Sequence, residues 1–262
     1  MDVAGLGEEA APGRCLTLLI IPGFMGTAAI WRPFLSRLDP GIVARFWFPE
    51  RELGGDAVVA LRRRLRQPRR TPLVALGYSQ GARVLWAALQ DRRARPDGLV
   101  LISGRPPISD TLLRARRRSV DRQRAALVRR VGVRRFLESW RTNPVIRSQR
   151  GIDAALQARR RAERLRLSPA QVAEALEVLG AGGLSIRESG PVASLPALVI
   201  AGANDRPYRV LRLQWAQRLP HLQWIEIDRA GHAPQFERPT VVASHVNRFV
   251  QSLARPSTVV TD

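Results

Sequence analysis

The chain is poor in cysteine, with one residue, Cys15, in a sequence of 262. A single cysteine excludes a disulfide framework and any zinc site built from several thiolates. Histidine is also scarce, since the chain has three, and these are scattered without carboxylates at metal-ligand spacing. We therefore expect no metal site and no cofactor.

Long hydrophobic runs are missing as well. The first apolar run, Leu16–Ile21, is far too short to span a bilayer. The residues before it include Asp2, Glu8 and Glu9 instead of a basic leader region. With 45% hydrophobic residues, the chain is nevertheless able to bury a large core, which excludes disorder across its whole length. We expect a soluble, cytoplasmic protein with no membrane partner.

Lysine is absent, so all 43 basic residues are arginine, and the net charge is +21. Arginine without lysine is what a GC-biased genome supplies, and we favour this compositional interpretation of the charge. The functional alternatives are an anionic substrate, an acidic partner or non-specific attraction to nucleic acid. We expect a small anionic substrate, no specific nucleic acid, and a monomer or weak homo-oligomer.

Apolar runs alternate with amphipathic stretches through most of the chain. Strands that are apolar throughout and alternate with helices are typical of a parallel sheet covered on both faces. The predicted strands are residues 15–21, 42–48, 72–76, 98–102, 197–201 and 223–227. The predicted helices of this part are residues 30–38, 56–66, 82–89, 210–219 and 239–253.

The pattern changes between residues 105 and 188, where strand-like runs vanish and arginine becomes dense. This stretch is predicted to form several helices. Ser168, Pro169 and Gln171 form a helix start of the capping-box type, and that helix is predicted to end near Gly180. We therefore predict an α/β core of residues 1–104 and 189–262, interrupted by a helical lid insertion of residues 105–188.

The first motif that carries chemistry is Gly77-x-Ser79-x-Gly81, between a predicted strand and a predicted helix. This context is typical of a nucleophile elbow, a strained turn that raises a serine hydroxyl above the sheet. Such a serine needs a histidine as base and an acid to orient that histidine.

His232 is the best candidate for that histidine, because it follows the last predicted strand. His221 lies at a helix–strand junction and is expected at the surface, while His245 lies inside the final helix. Asp205 and Asp228 each follow a strand, and we favour Asp205 as the acid. The order Ser79, Asp205, His232 is that of the α/β hydrolases.

An oxyanion hole needs two backbone N–H groups directed at developing negative charge. The elbow would supply the amide of Gln80. The loop after the first strand would supply that of Phe24.

These motifs resemble the α/β-hydrolase superfamily over nearly the full chain. Within it, the chain is most similar to the 2-succinyl-6-hydroxy-2,4-cyclohexadiene-1-carboxylate synthase family of menaquinone biosynthesis. The resembling segments are PGFMGTAAIWRPFLSRL from Pro22, GYSQGAR from Gly77, LVLISGRPP from Leu99, RRRSVD from Arg116, FLESWRTNPVI from Phe136, GANDRPY from Gly202 and AGHAPQFERP from Ala230.

The resemblance implies a lyase that eliminates pyruvate from 2-succinyl-5-enolpyruvyl-6-hydroxy-3-cyclohexene-1-carboxylate. It implies that Ser79 is the base activated by His232, with Asp205 holding the imidazole. It also implies that Gln80 and Phe24 stabilise the negative charge. The substrate-binding residues that it implies are Arg83, Tyr78, Arg117, Arg118 and Trp140.

The chain departs from the family where Pro22-Gly23 replaces His-Gly and where the elbow is Ser-Gln-Gly-Ala instead of Ser-Leu-Gly-Gly. Two alternatives therefore stay open. One is a serine hydrolase that cleaves a small carboxylic ester through the same triad. The other is an inactive scaffold that binds polyanions through its arginine surface.

Overall fold

A six-stranded parallel sheet forms the centre of the protein. The computed structural model describes residues 15–52, 56–106, 108–184 and 194–254. All five strand pairings are parallel, and the strand order is β2-β1-β3-β4-β5-β6. The strands are β1 (Leu16–Ile21), β2 (Ile42–Phe46), β3 (Leu73–Tyr78), β4 (Gly98–Ile102), β5 (Ala197–Gly202) and β6 (Leu222–Ile227). The predicted parallel sheet is confirmed.

Helices cover both faces of the sheet. The α-helices are α1 (Arg32–Leu35), α2 (Ala57–Arg66), α3 (Gln80–Ala88), α4 (Thr111–Trp140), α5 (Ala154–Arg164), α6 (Pro169–Leu179), α7 (Arg206–Arg209), α8 (Arg212–Ala216), α9 (Pro234–Glu237) and α10 (Pro239–Ala254). Short 3-10 helices span Ala29–Trp31, Pro49–Arg51 and Pro144–Gly151. None of the helices in the described ranges is both long and apolar enough to cross a membrane.

Two apolar layers explain why the central strands lack polar residues. β3, β4 and β5 are buried along their whole length, because α2, α3 and α8 pack on one face, while α1, α9 and α10 pack on the other. The edge strand β2 alternates between half-buried and exposed residues, and the other edge strand, β6, is mostly half-buried or exposed and ends in the buried Ile227. This is the arrangement expected for a doubly covered parallel sheet.

In the described residues between β4 and β5, the chain forms three α-helices, α4 to α6, and the 3-10 helix Pro144–Gly151. We call residues 111–179 the helical segment. α4 bends at Gly132, whose φ of 74° and ψ of 166° are not helical. The helical segment has a small apolar core, which includes Val128, Phe136 and Leu176. The capping box at Ser168 is present. The boundary at residue 188 lies outside the described residues, as does the 255–262 tail, so the domain division stays a prediction.

Two predicted helices are shorter than the sequence pattern suggested. The predicted helix at 30–38 is a 3-10 turn followed by the four-residue α1. The predicted helix at 210–219 is α8, which ends at Ala216. Apolar spacing marks the buried face of each segment, but it does not distinguish a continuous α-helix from successive tight turns.

Candidate active site

The Gly77-x-Ser79-x-Gly81 motif forms a sharp turn between β3 and α3. Ser79 has φ of 52° and ψ of −108°, a conformation that non-glycine residues rarely adopt. The flanking glycines are required by space, because a Cβ on Gly81 would lie 2.1 Å from the Ile21 carbonyl oxygen, and one on Gly77 would lie 2.6 Å from the Ala82 Cα. The sequence motif thus reflects close backbone packing around a strained serine.

Replacing Gly81 with alanine is expected to lower the free energy of unfolding by about 3 kcal/mol or more, since backbone must move to admit the methyl group. Urea unfolding measures this change. Gly151→Ala is the matched control, because nothing lies within 4 Å of a Cβ there. Equal stability of the two variants would show that the turn admits a methyl group at Gly81 without a costly movement of the backbone.

A chain of hydrogen bonds joins the serine to a histidine and an aspartate. Ser79 Oγ lies 2.9 Å from His232 Nε2, and His232 Nδ1 lies 2.8 Å from Asp205 Oδ2. An ionised carboxylate only accepts hydrogen bonds, so Nδ1 carries the proton and Nε2 accepts from the serine hydroxyl. Asp205 and His232 are both buried. His232 can therefore take a proton from Ser79, and Asp205 can stabilise the resulting imidazolium.

The rival residues lie elsewhere. Asp228 and His221 are exposed, and the Nδ1 of His245 is 3.0 Å from an Arg248 guanidinium nitrogen. The hydrogen bond between His232 and Asp205, together with the exposure of Asp228, distinguishes between the two aspartates that sequence order alone left as alternatives.

Glu237 holds the loop that carries the histidine. Its carboxylate accepts the amide of Gly231 at 2.7 Å and that of Ala233 at 3.1 Å, on either side of His232. Ser148, from the helical segment, donates to the same carboxylate at 3.1 Å. Sequence analysis missed Glu237, although the motif in which it lies resembled the family.

The loop that contains Phe24 is held from two sides. The amide of Met25 donates to Glu50 Oε1 at 2.9 Å, and Met25 has a positive φ of 51°. From α5, the Arg164 guanidinium donates to the carbonyl of Met25 at 2.9 Å and to that of Phe24 at 3.4 Å. The carboxylate and the guanidinium together restrain a conformation that is unfavourable for methionine.

Burial raises the pKa of Glu50 to about 7, against hydrogen bonds from backbone amides and the charge of Arg164, which lower it. In the unfolded chain this carboxyl titrates near its ordinary value of 4.5. The folded protein therefore loses stability as pH rises from 4.5 to 7, and the cost is complete above pH 7.

Glu50→Gln removes this charge and keeps an oxygen that accepts the Met25 amide. We expect the variant to be more stable than the parent by up to about 3 kcal/mol at pH 8. At pH 4.5, where the folded parent is neutral at this position and its unfolded chain is half ionised, the difference should fall below about 0.5 kcal/mol. Urea unfolding at the two pH values measures the difference. A difference that does not change with pH would assign the effect to packing instead of charge.

A cavity of about 170 Å³ opens beside Ser79 and His232. It brings together most of the residues that the sequence suggested: Phe24, Tyr78, Gln80, Arg83, Arg117 and Trp140 all line it. Arg118 is not part of this lining, because its Nε donates to the Gly182 carbonyl at 3.1 Å instead. Gln80 also ties the elbow to the helical segment, since its side-chain amide donates to the Ala175 carbonyl at 2.9 Å.

The cavity lining is rich in guanidinium groups. Its arginines are Arg83, Arg117, Arg124, Arg160 and Arg164. Asp121 is the carboxylate residue in the lining, and Arg117 Nε donates to both of its oxygens at 3.0 Å.

Burial lowers the pKa of Arg83 to about 10, and it also lowers that of Arg164. The pKa of Tyr78 is raised by the same cause. These shifts indicate a site that is largely closed to water and still contains an excess of positive charge.

Comparison with known proteins gives the same fold and a consistent group of relatives. The alpha/beta hydrolase family matches residues 18–245. A Klebsiella pneumoniae protein named 2-succinyl-6-hydroxy-2,4-cyclohexadiene-1-carboxylate synthase is 30% identical over 178 residues, which is 68% of each chain. A Salmonella heidelberg protein of the same name is 26% identical over 257 residues, which is 94% of this chain and 96% of the relative. A Bacillus subtilis relative is 27% identical, and the match spans 65% of its length.

Solved structures agree on the architecture. MenH from S. aureus superposes with a TM-score of 0.81 at 21% identity, covering 95% of this chain and 98% of the other. An enol-lactonase from Burkholderia xenovorans LB400 gives a TM-score of 0.69 at 19% identity, covering 94% of each chain. These superpositions establish the fold, and the family match extends over most of the sequence. The resemblance found in the motifs is confirmed, and the chain is an enzyme of the alpha/beta hydrolase family.

Proposed function

We propose that this protein is a lyase that eliminates pyruvate from 2-succinyl-5-enolpyruvyl-6-hydroxy-3-cyclohexene-1-carboxylate and so forms 2-succinyl-6-hydroxy-2,4-cyclohexadiene-1-carboxylate. The names of its relatives support this role in menaquinone biosynthesis. The observation that carries the proposal is the group of five arginines in the cavity beside Ser79 and His232.

The arginines match the charge of this substrate. It has a carboxylate on the ring, another on the succinyl arm and a third on the enolpyruvyl group. Guanidinium groups bind carboxylates through two parallel hydrogen bonds, which fixes both position and orientation. Arg83 is buried and, within the described ranges, forms no hydrogen bond or ion pair with a carboxylate. A buried cation without a partner is costly, and a substrate carboxylate would supply the partner.

The Ser79–His232–Asp205 chain would carry out the proton transfer. His232 Nε2 takes the proton of Ser79 Oγ as that oxygen removes a proton from the ring. The electron pair left on the ring forms the new double bond of the diene. As this double bond forms, the existing ring double bond shifts and the ring C–O bond breaks, and the leaving enolpyruvate takes up the proton held by His232 and becomes pyruvate. Asp205 keeps the imidazole in the required tautomer and stabilises its charged form.

The amides of Gln80 and Phe24 would stabilise negative charge as it develops on the substrate. Gln80 is the first residue of α3, and the first amides of a helix have no acceptor within the helix. The helix dipole adds positive potential at the same point. Phe24 lies across the cavity on the loop that Glu50 and Arg164 restrain.

Pyruvate release tests the proposal. Purified protein is given the enolpyruvyl precursor, and pyruvate is followed through lactate dehydrogenase and NADH absorbance. We expect saturable release, with little cleavage of p-nitrophenyl acetate. Background pyruvate with Ser79-dependent ester cleavage would support the serine hydrolase instead. Neither activity, with retention on polyanions that falls steeply with salt, would support the inactive scaffold.

A further inference from the structure

A second cavity of about 300 Å³ lies beside the first, within the helical segment. It is formed by the last turn of α4, the 3-10 helix Pro144–Gly151 and α5. The two cavities share part of their walls, and the shared residues are Trp140, Ile146, Gln149, Arg160 and Arg164. These shared residues place the two cavities next to each other.

Arg160 lies at this shared wall, where its guanidinium carbon is 5.8 Å from the centre of the Phe236 ring. Its Nη1 donates to Gln149 Oε1 at 2.6 Å, and its Nε is buried without a hydrogen-bond partner. Among the described residues, no carboxylate forms an ion pair with it. Burial lowers the pKa of Arg160. A cation in such surroundings is paired in most proteins, so its free nitrogen points to an anionic ligand.

The catalytic cavity is smaller than most pockets that bind small molecules. Ligand pockets commonly measure about 300–1,000 Å³, and the cavity at Ser79 measures about 170 Å³. The neighbouring cavity offers apolar surface from Leu137, Ile146 and Ala154. This surface suits methylene groups, while the guanidinium at the shared wall suits a terminal carboxylate.

We propose that Arg160 anchors the carboxylate of a short acyl arm of the substrate, and that this arm extends from the catalytic cavity along the shared wall. The inference rests on the proposed function, in which the succinyl group is that arm. Gln149 orients Arg160 through its side-chain oxygen and, through its Nε2, contacts the Tyr78 hydroxyl at 3.5 Å. The position of the arm is thereby linked to the residue that precedes Ser79.

The test compares Arg160→Gln with Arg159→Gln, which removes the same charge from an exposed neighbour on α5. Calorimetry measures binding of 4-oxo-4-phenylbutanoate, a ring bearing the acyl arm, and of benzoate, a ring carboxylate without it. We expect Arg160→Gln to weaken binding of the first ligand about tenfold or more and to leave benzoate unchanged. Arg159→Gln is expected to change neither, and Arg160→Lys to restore part of the loss.

The outcomes separate this inference from the proposed function. Equal losses in Arg160→Gln and Arg159→Gln, or equal losses for both ligands, would overturn the subsite. Selective loss of the arm-bearing ligand supports the subsite even if the protein releases no pyruvate. Where pyruvate is released, Arg160→Gln is expected to raise KM about tenfold, with kcat within about threefold. A fall in kcat at constant KM would contradict an anchoring role.

Discussion

Ser79→Ala is expected to reduce pyruvate release by about 10⁴-fold or more. In the proposed mechanism the hydroxyl oxygen takes the substrate proton, and His232 Nε2 lies 2.9 Å from that oxygen. Without the hydroxyl, the imidazole loses the group through which it takes up the ring proton in this mechanism. Restraint of the substrate by the arginines remains, so binding should persist while turnover is lost. Steady-state kinetics with the lactate dehydrogenase assay, together with calorimetric binding of the precursor, measures both quantities.

The control for this prediction is Ser36→Ala, because Ser36, the residue that follows α1, is exposed and its hydroxyl donates to the Pro33 carbonyl. It should retain the parent rate. If Ser79→Ala keeps more than about a hundredth of the parent kcat, then His232 or a water molecule acts directly as the base. In that case His232→Ala should be the more damaging change.

The parallel sheet and the elbow could be predicted because local pattern and global fold agree there. Strands such as β3 are apolar at almost every position, which is favourable only when helices cover both faces. Parallel strands also bring their carboxyl ends to one edge. Residues that follow β3, β5 and β6 therefore meet. The positions of Ser79 and His232 after strands were enough to predict that they lie together, whereas Asp205 and Asp228 both stayed candidates for the acid.

The arginine cluster could not be fully predicted, because its members come from helices whose orientation is set by packing. Arg117 and Arg118 are neighbours in a run of arginines, but successive helical residues differ by about 100° around the axis, and one of the two reaches the cavity. A local signal did exist: Asp121 lies four residues after Arg117 and pairs with it.

Arg160 and Arg164 were missed for the same reason. They are one helical turn apart on α5 and look like two more members of an arginine-rich surface. The position of α5 beside the Phe24 loop, which depends on tertiary packing, is what brings them to the cavity. Glu50 was missed because burial of a carboxylate leaves no pattern in the residues around it.

Arg83→Met is expected to have opposite effects on function and stability. Arg83 is buried at 8% exposure, and burial lowers its pKa to about 10. The unfolded chain holds this proton to a higher pH than the folded protein does, so the folded protein carries the cost of the buried charge at every pH below 10. Methionine fills similar space without charge. We expect the free energy of unfolding to rise by about 1–3 kcal/mol, which raises Tm by about 2–4 °C per kcal/mol.

The same substitution should raise KM for the precursor about 100-fold, because a charge-assisted pair with a substrate carboxylate is lost. Arg63→Met, on the exposed face of α2, is the matched control and should change neither quantity appreciably. If Arg83→Met lowers Tm and leaves KM unchanged, Arg83 is a structural cation and the arginine argument for a polyanionic substrate loses its central residue. Gain of stability with loss of affinity is the signature of a binding site, since the folded protein bears a cost that the substrate relieves.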